Sequence, residues 1–430
     1  MSEASPVKIA LLGAGVVGTE VARLLREQKD DLAQRIGAVP ELIGVAVKDP
    51  EEEREDDLPR ELLSGDPVAL ATQADVVVEL MGGIEPAKTS ILAALNAGAS
   101  VVTANKALLA EHGAELYEAA DANGVDLYYE AAVAGAIPLV KPVRESLAGD
   151  KVERILGIVN GTTNYVLDEM TVKGLAYDVA LKEAQDRGFA EADPTADVEG
   201  YDAASKIAIL ASLAFHMRVK LSDVHREGIT EITAHDIAAA AESGHVIKLL
   251  AIAERTEAGV GVRVHPSLVP ESHPLGTVHG AFNAVFIEAE AAGELMFYGQ
   301  GAGGTPTSSA VVGDVVSAAR HKVGGGKGPN ESNYVDVPVL PIGANETRFQ
   351  IRLDVEDETG VLAQVADIFG SHEVSIESVR QPARVEGQKT VPLVISTHKA
   401  IESDLAKTVE DIRACPVVNS VLSVLRIEGE

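Results

Sequence analysis

The sequence predicts an α/β chain in three parts: a doubly wound parallel sheet, a mixed α/β domain, and a small βαββαβ module. Three observations predict this. Strand-like apolar runs alternate with helix-like segments over residues 7–130. Longer helical segments with strands between them follow, from about Ala136 to His321. A stretch of glycines and prolines without periodicity then precedes one further alternation. The expected bounds are 1–135 for the first domain, 136–322 for the second, 323–346 for a linker and 347–430 for the last module.

Taken in order, Val7–Leu12, Leu42–Val47, Val76–Leu80, Ser100–Thr103 and Val125–Glu130 read as strands of the first domain. Thr19–Gln28, Pro86–Ala97 and Ala107–Ala122 read as its helices, the second ending at Gly98. In the second domain Val179–Arg187, Asp202–Phe215 and Ala234–Ala241 read as helices, and Ile155–Val159, Val262–Leu268 and Asn283–Glu290 as strands. The helix at Ser308–Ala319 is expected to pack back on the first domain. After the linker, strands at Thr347–Glu356, Val374–Gln381, Val391–Thr397 and Ser420–Ile427 alternate with helices from Gly360 to Phe369 and over Ser403–Ala414. That order is ferredoxin-like.

The bulk numbers agree. A chain of 430 residues exceeds one ordinary core and suggests two or three domains. With 3% aromatics and no Trp, the core must be built from Ala, Val, Leu and Ile, as in a covered parallel sheet. The net charge of −30 repels phosphate backbones, so nucleic acid and anionic membranes are poor partners. Cys415 is the only cysteine, which excludes an intrachain disulfide and a cysteine zinc site. Met1 to Val7 lacks the pattern of a signal peptide, and Ala131–Val140 is too short for a membrane span. The expected compartment is a reducing cytoplasm.

Gly13-Ala14-Gly15-Val16-Val17-Gly18 matches G-x-G-x-x-G between a strand and a helix. In that context Gly13 permits the tight turn, Gly15 lets the backbone approach a pyrophosphate, and Gly18 lets helix and sheet pack closely. The helix N-terminus then offers N–H groups to the anion. A Rossmann-type dinucleotide domain is therefore expected. The second strand ends at Val45-Ala46-Val47-Lys48-Asp49. Lys48 suits the 2′-phosphate of NADP; an acidic residue would suit NAD, and Asp49 comes one residue late, so NAD stays possible. Thr103 and Lys106 lie where a strand runs out toward the ligand side of the sheet. A second glycine loop, Gly301 to Thr307 with Gly303 at its centre, precedes a helix and could close over the cofactor.

The segment from Gly188 to Lys206 carries the chemistry. Asp202 and Lys206 are four apart, on a helix face otherwise lined by Ala203, Ile207, Leu210 and Leu213. A lysine beside a carboxylate keeps its proton and can donate it. Glu191, Asp193 and Asp197 add anions suited to a substrate ammonium. Read by physics alone, the same segment also suits an acidic loop capping a helix with a solvated ion pair.

The run G-F-A-E-A-D-P-T-A-D-V-E-G-Y-D-A-A-S-K at 188–206 resembles the signature of homoserine dehydrogenases. So do V-T-A-N-K-A-L-L-A at 102–110, E-A-A-V-A-G-A-I-P at 130–138, G-I-V-N-G-T-T-N-Y at 157–165 and Y-G-Q-G-A-G-G-T-P-T-S-S-A-V-V-G-D at 298–314. The resemblance implies reversible reduction of L-aspartate 4-semialdehyde to L-homoserine in threonine, methionine and isoleucine biosynthesis. It implies Lys206 as general acid, Asp202 as its orienting partner, and Lys106 near both nicotinamide and substrate. Glu191 would hold the substrate ammonium, with Asp197, Gly161 and Thr162 nearby. It implies a structural sodium ion on the carbonyls of Glu130, Val133, Gly135 and Ile137. Family members often have Tyr where this chain has Phe189, which puts any contact from that side chain in doubt. The last module resembles an ACT domain, with Asp357-Glu358-Thr359-Gly360-Val361-Leu362 at its effector turn beside Ser375-Ile376-Glu377-Ser378-Val379. Threonine is the implied effector, and a homodimer or homotetramer the implied assembly. Two other readings are another amino-acid-pathway reductase and a non-catalytic nucleotide or amino-acid sensor. An acyl-phosphate reductase needs a nucleophilic Cys in the catalytic region, and Cys415 lies in the last module. A sensor has no use for the Asp202–Lys206 pair.

Overall fold

The computed structural model of the chain describes residues 5–52, 54, 58–330, 334–381 and 390–429. They form two compact units, neither contiguous in sequence. The first is Met1–Glu153, Ser205–Ser222 and Phe282–Asp336; the second is Arg154–Ala204, Asp223–Ala281 and Val337–Glu430.

The first unit is built on a six-stranded parallel sheet. Its spatial order is Leu63–Ser64, Pro40–Ala46, Val7–Leu12, Val76–Glu79, Ser100–Thr103, Leu127–Tyr128. The order reverses between Val7–Leu12 and Val76–Glu79, the point where such sheets bind ligands beyond their carboxyl ends. Every residue of Val76–Glu79 and Ser100–Thr103 is buried, which explains why valines follow one another at their centres without alternation. The helix Gly304–Gly324 packs on the helix Val16–Glu27 and on both of those strands. Its Val311, Val315, Ala318 and Ala319 join one core with Ile9, Leu11, Val21, Val78 and Val102. Small side chains on its buried face allow the close approach.

The second unit begins with antiparallel strands. Val152–Ile158 pairs with His245–Arg255, which pairs with Val260–Pro270. The last module has the strand order Val418–Ile427, Glu346–Glu356, Thr390–Thr397, Ile376–Arg380, all antiparallel. The helices Val361–Ser371 and Glu402–Ala414 complete the βαββαβ unit around Phe349, Leu353, Phe369, Leu393 and Ile412. Its strand Val418–Ile427 also pairs in parallel with Val260–Pro270, through Ser267–Arg426 and Leu268–Ile427. One strand therefore serves both sheets.

Several elements differ from the sequence reading. His245–Arg255 is a strand that the reading passed over, because its centre is buried on both faces and shows no alternation. Gly161–Lys173 is a helix whose first two turns are buried, from Thr162 to Asp168, and Gly293–Gln300 is a strand. The stretch expected as a linker contains the end of the helix Gly304–Gly324 and a short strand, Val339–Leu340, paired with Val260 and Gly261.

Charge is buried where the last module meets the rest of the second unit. Arg263 is 1% exposed and pairs with Glu428 at 3.0 Å and Glu254 at 3.1 Å. Arg154 also pairs with Glu428. Arg426 forks onto Glu402 at 2.7 and 3.1 Å and reaches Glu227 at 2.9 Å. Burial pushes the Glu227 carboxyl up, but hydrogen bonds from His225 and Arg426 outweigh it and hold the group at about 2.

Two outcomes are expected. Glu428→Ala strips Arg263 and Arg154 of a shared carboxylate, and a denaturant titration should lose about 3–5 kcal/mol, the usual cost of breaking a buried pair. Glu227 lies below its unfolded value of about 4.3 when folded, so its stabilisation is present above that pH and disappears as pH falls toward about 2. The thermal midpoint of the native chain should fall over that window, and more shallowly in Glu227→Gln. Identical acid limbs would refute the second expectation.

Candidate active site and cofactor cleft

The glycine loop is fixed by collisions that only glycine avoids. Gly13 has φ 103°, and a Cβ there would lie 2.8 Å from the Leu80 carbonyl carbon. A Cβ on Gly18 would lie 2.1 Å from the Gly13 oxygen. A Cβ on Gly15 would meet nothing of the protein within 4 Å. Gly15 therefore guards space on the ligand side, while Gly13 and Gly18 serve the turn itself. Gly15 precedes the helix Val16–Glu27 without a side-chain cap, so the first-turn N–H groups remain available to an anion. Val16 is 77% exposed at this end.

A second helix N-terminus meets the first. Gly303, at φ 124°, leads the helix Gly304–Gly324 and also lacks a side-chain cap. A Cβ on Gly304 would lie 2.8 Å from Val16 Cγ1. Ala14 offers its carbonyl to Arg54 Nη2 at 2.5 Å and to the Thr19 hydroxyl at 3.3 Å. Arg54 escaped the sequence reading, since it follows the strand tip by several residues. Lys48 is exposed just beyond Pro40–Ala46, and Asp49 accepts from Glu51 N at 2.9 Å, in its own turn.

Lys106 is the first residue of the helix Lys106–Asn123, and a buried network sets where it begins. Glu79, fully buried at the end of its strand, accepts from the Thr103 hydroxyl at 2.7 Å, Met81 N at 2.8 Å and Gly82 N at 3.2 Å. The Thr103 oxygen accepts from Asn105 N at 3.0 Å. Asn105 caps the helix through Leu108 N and donates to Gly83 O at 2.7 Å. Neither Glu79 nor Asn105 was singled out from sequence; the signal was an acid closing the run Val76-Val77-Val78-Glu79.

In the second unit, Asn160 caps the helix Gly161–Lys173. Its Oδ1 accepts from Thr163 N at 2.9 Å. Its Nδ2 donates to Asp197 Oδ1 at 2.7 Å and to Asp202 Oδ2 at 2.9 Å. The two expected aspartates are thus joined through an amide that the sequence reading left unassigned. Beside them, the Thr162 hydroxyl donates to the Phe189 carbonyl, and the Phe189 and Tyr165 rings lie 4.9 Å apart. Phe189 is spared a polar role: its main chain, not its ring, meets Thr162. Gly161 is the first helical residue, and Glu191 is exposed on the loop after Phe189. Asp202 and Lys206 lie one turn apart on the helix Tyr201–Phe215, each 8% exposed.

The Glu130 segment is held without its carboxylate being spare. That carboxylate accepts from the N–H groups of Leu139, Val140 and Lys141, while Glu130 N donates to Asp314 Oδ2 at 2.8 Å. Burial pushes the Asp314 carboxyl up to about 6 against the pull of the Lys141 ammonium, 2.7 Å away. A Cβ on Gly135 would lie 2.3 Å from Gly301 O, and Ala136 N donates to Gln300 O at 3.1 Å. Among the described residues no cluster of three or more His, Cys, Asp or Glu could hold a metal ion, and no helix is long and apolar enough to cross a membrane.

Comparison with known proteins decides the chemistry. Residues 138–316 match the homoserine dehydrogenase family model, and residues 13–130 match the model for the NAD-binding domain of homoserine dehydrogenase. The homoserine dehydrogenase of Corynebacterium glutamicum is 56% identical, over 99% of this chain and 96% of the relative. The chain belongs to the homoserine dehydrogenase family. That of Mycobacterium tuberculosis is 54% identical over 99% of this chain and 98% of its own. A crystal structure of a homoserine dehydrogenase from Thiobacillus denitrificans matches with TM-score 0.92 at 38% identity, over 99% of both chains. A hyperthermophilic archaeal homoserine dehydrogenase in complex with NADPH matches 76% of this chain and 99% of its own, with TM-score 0.63 at 27% identity. Residues 349–417 match the ACT domain model. The activity is that of a homoserine dehydrogenase: reversible, nicotinamide-dependent interconversion of L-aspartate 4-semialdehyde and L-homoserine.

The glycine geometry separates two failures. Gly18→Ala should lose both thermal stability and NADPH binding, because its Cβ strikes the Gly13 carbonyl. Gly15→Ala should keep the native melting temperature and lose affinity for NADPH, measured by fluorescence titration. Normal NADPH affinity in Gly15→Ala would contradict the placement of the pyrophosphate.

Proposed function

We propose that Lys206 is the general acid of the reduction. The observation that carries this is the Asn160–Asp197–Asp202 network, which orients Asp202 one turn before Lys206 on a shared helix. When bound, the nicotinamide cofactor supplies a hydride to the aldehyde carbon. The Lys206 ammonium gives a proton to the oxygen on which negative charge grows, and takes it back in homoserine oxidation. Asp202 aligns that ammonium. Lys106, at the positive end of its helix, polarises the same oxygen. Glu191 and Asp197 hold the substrate ammonium, and the Gly161-Thr162 backbone lies alongside.

The cofactor reading favours NADP. Lys48 and Arg54 are two cations near the tip of the second strand, and Asp49 is engaged in its own turn rather than presented to a ribose hydroxyl. NAD remains a second substrate. Carbonyls of Glu130, Val133, Gly135 and Ile137 are proposed to hold a structural sodium ion, a reading supported by the commitment of the Glu130 carboxylate elsewhere. Threonine is the proposed effector of the ACT domain, at the turn from Asp357 to Leu362, where Gly360 at φ 92° leads an uncapped helix. A homodimer or homotetramer is proposed; the edge strand Gly293–Gln300 exposes Met296 and Tyr298, with Phe282 stacked on Tyr298.

Lys206→Ala should lower homoserine oxidation by about 10²–10⁴-fold, the range for a general acid or base, while NADPH binding persists. Retained turnover would defeat the assignment. An assay at the nicotinamide absorbance band should favour NADP over NAD, and Lys48→Ala with Arg54→Ala should narrow that preference. In the same assay millimolar threonine should change turnover, or sedimentation should change; indifference in both would remove the effector reading.

A further inference from the structure

The helix that carries Asp202 is gripped at its start by a segment that also touches the last module. That segment, residues 225–230, begins as a short strand, His225–Arg226, paired with Val260–Pro270. It lies hard against residues 198–200. A Cβ on Gly228 would come 2.4 Å from Val198 O, and Ile229 N donates to that oxygen at 2.8 Å. The Thr230 hydroxyl donates to Glu199 Oε1 at 3.2 Å. Arg226 reaches both the main chain and the first helical side chain. Its Nη1 donates to Glu199 O at 2.9 Å, and its guanidinium lies 3.3 Å from the centre of the Tyr201 ring. Tyr201 is the first residue of the helix and Asp202 the second.

The next residue faces the other way. Glu227 accepts from Arg426 Nη1 at 2.9 Å, and Arg426 belongs to the strand that closes the last module. Arg426 is held in turn by the bidentate Glu402, the first residue of that module's second helix. His225 meets the other Glu227 oxygen at 2.9 Å. Consecutive residues, Arg226 and Glu227, thus link the helix start to the last module. Glu227 N donates to Val264 O at 2.7 Å, which ties the pair to Val260–Pro270, the strand on which Val418–Ile427 docks.

We propose that Arg226 is a positioning residue for the first turn of the Asp202 helix, and that the Glu227–Arg426 ion pair imposes the state of the C-terminal module on it. The inference rests on the reading of Asp202 and Lys206 given above. Arg426 cannot shift without pulling Glu227, and Glu227 cannot shift without moving Arg226 off the Tyr201 ring. A small rotation there reorients the Asp202 carboxylate against Asn160. The expected signature is a change in turnover with cofactor affinity intact.

The test uses the full chain. Arg226→Met, Glu227→Gln, Arg426→Gln and the double variant Glu227→Gln/Arg426→Gln are compared for kcat, KM for homoserine, NADPH affinity and melting temperature. Arg226→Met should lower kcat by about tenfold, as small misplacements near reacting groups do, with NADPH affinity within about twofold of native. Glu227→Gln and Arg426→Gln should each lower kcat, and the double variant should be no worse than the worse single one, the mark of residues acting as a unit. Unchanged kcat in Arg226→Met overturns the positioning role, as does a loss of NADPH affinity in proportion to kcat. Additive effects in the double variant overturn the coupling. Should Arg426→Gln fail to fold for want of a partner to Glu402, Arg426→Lys replaces it in the same cycle. Lys206→Ala, run in parallel, keeps the two readings apart: its retained turnover sinks the acid, whereas its loss with a native Arg226→Met sinks only the relay.

Discussion

Arg263 is buried to 1% exposure, and its charge is tolerable there only because carboxylates answer it. Glu254 comes from the neighbouring strand, but Glu428 comes from the far end of the chain. The requirement fixes more than one ion pair. It brings the end of Val418–Ile427 to the edge of Val260–Pro270, where the two pair in parallel. Once that strand is shared, the βαββαβ module cannot be a bead on a tether. Its sheet and the preceding antiparallel strands become one mechanical body. A module with its own core, around Leu353 and Phe369, is thereby joined by backbone hydrogen bonds and ion pairs to the strands Val260–Pro270 and His245–Arg255.

The first unit depends on exclusion rather than attraction. Gly13, Gly18, Gly135 and Gly304 each sit where a Cβ would come within 3 Å of backbone or a neighbouring side chain. The resulting contacts draw two helix N-termini together, that of Val16–Glu27 and that of Gly304–Gly324. Two sets of unpaired N–H groups at one place favour a ligand with more than one anionic group. A dinucleotide is such a ligand. The helix Gly304–Gly324 lies directly on the sheet because the part of its buried face that meets the strands is Val311, Val315, Ala318 and Ala319, all small or medium side chains.

What was legible in the sequence follows from range. The glycine fingerprint is local, and the strand and helix around it stand where the pattern puts them. The last module was legible too, because strands such as Thr390–Thr397 alternate cleanly and its helices are set off from them. Asn160 was not, although it lies within a quoted motif. Its meaning comes from partners 37 and 42 residues away, which no spacing rule connects. Arg54 acts on a carbonyl 40 residues earlier, and Glu428 on an arginine 165 residues earlier. The strand His245–Arg255 was hidden for a different reason: burial on both faces erases the alternation by which strands are read. Local chemistry was visible; the residues that hold it in place at a distance were not.

Asn160 shows why an amide, rather than another charge, stands between Asp197 and Asp202. Two aspartates lie within hydrogen-bond reach of one atom, Nδ2, and that nitrogen has two protons to give. Its oxygen is already occupied by Thr163 N, which fixes the side chain at the start of its helix. Every hydrogen-bonding group of the amide is therefore used, and its orientation is decided by all three partners at once. A carboxylate of the same shape would cap the helix equally well, yet it has no proton to donate at neutral pH and would add a third negative charge. A serine would cap but could reach only one aspartate. The residue that satisfies the helix and both acids together is asparagine, and through Asp202 that choice reaches the lysine one turn further on.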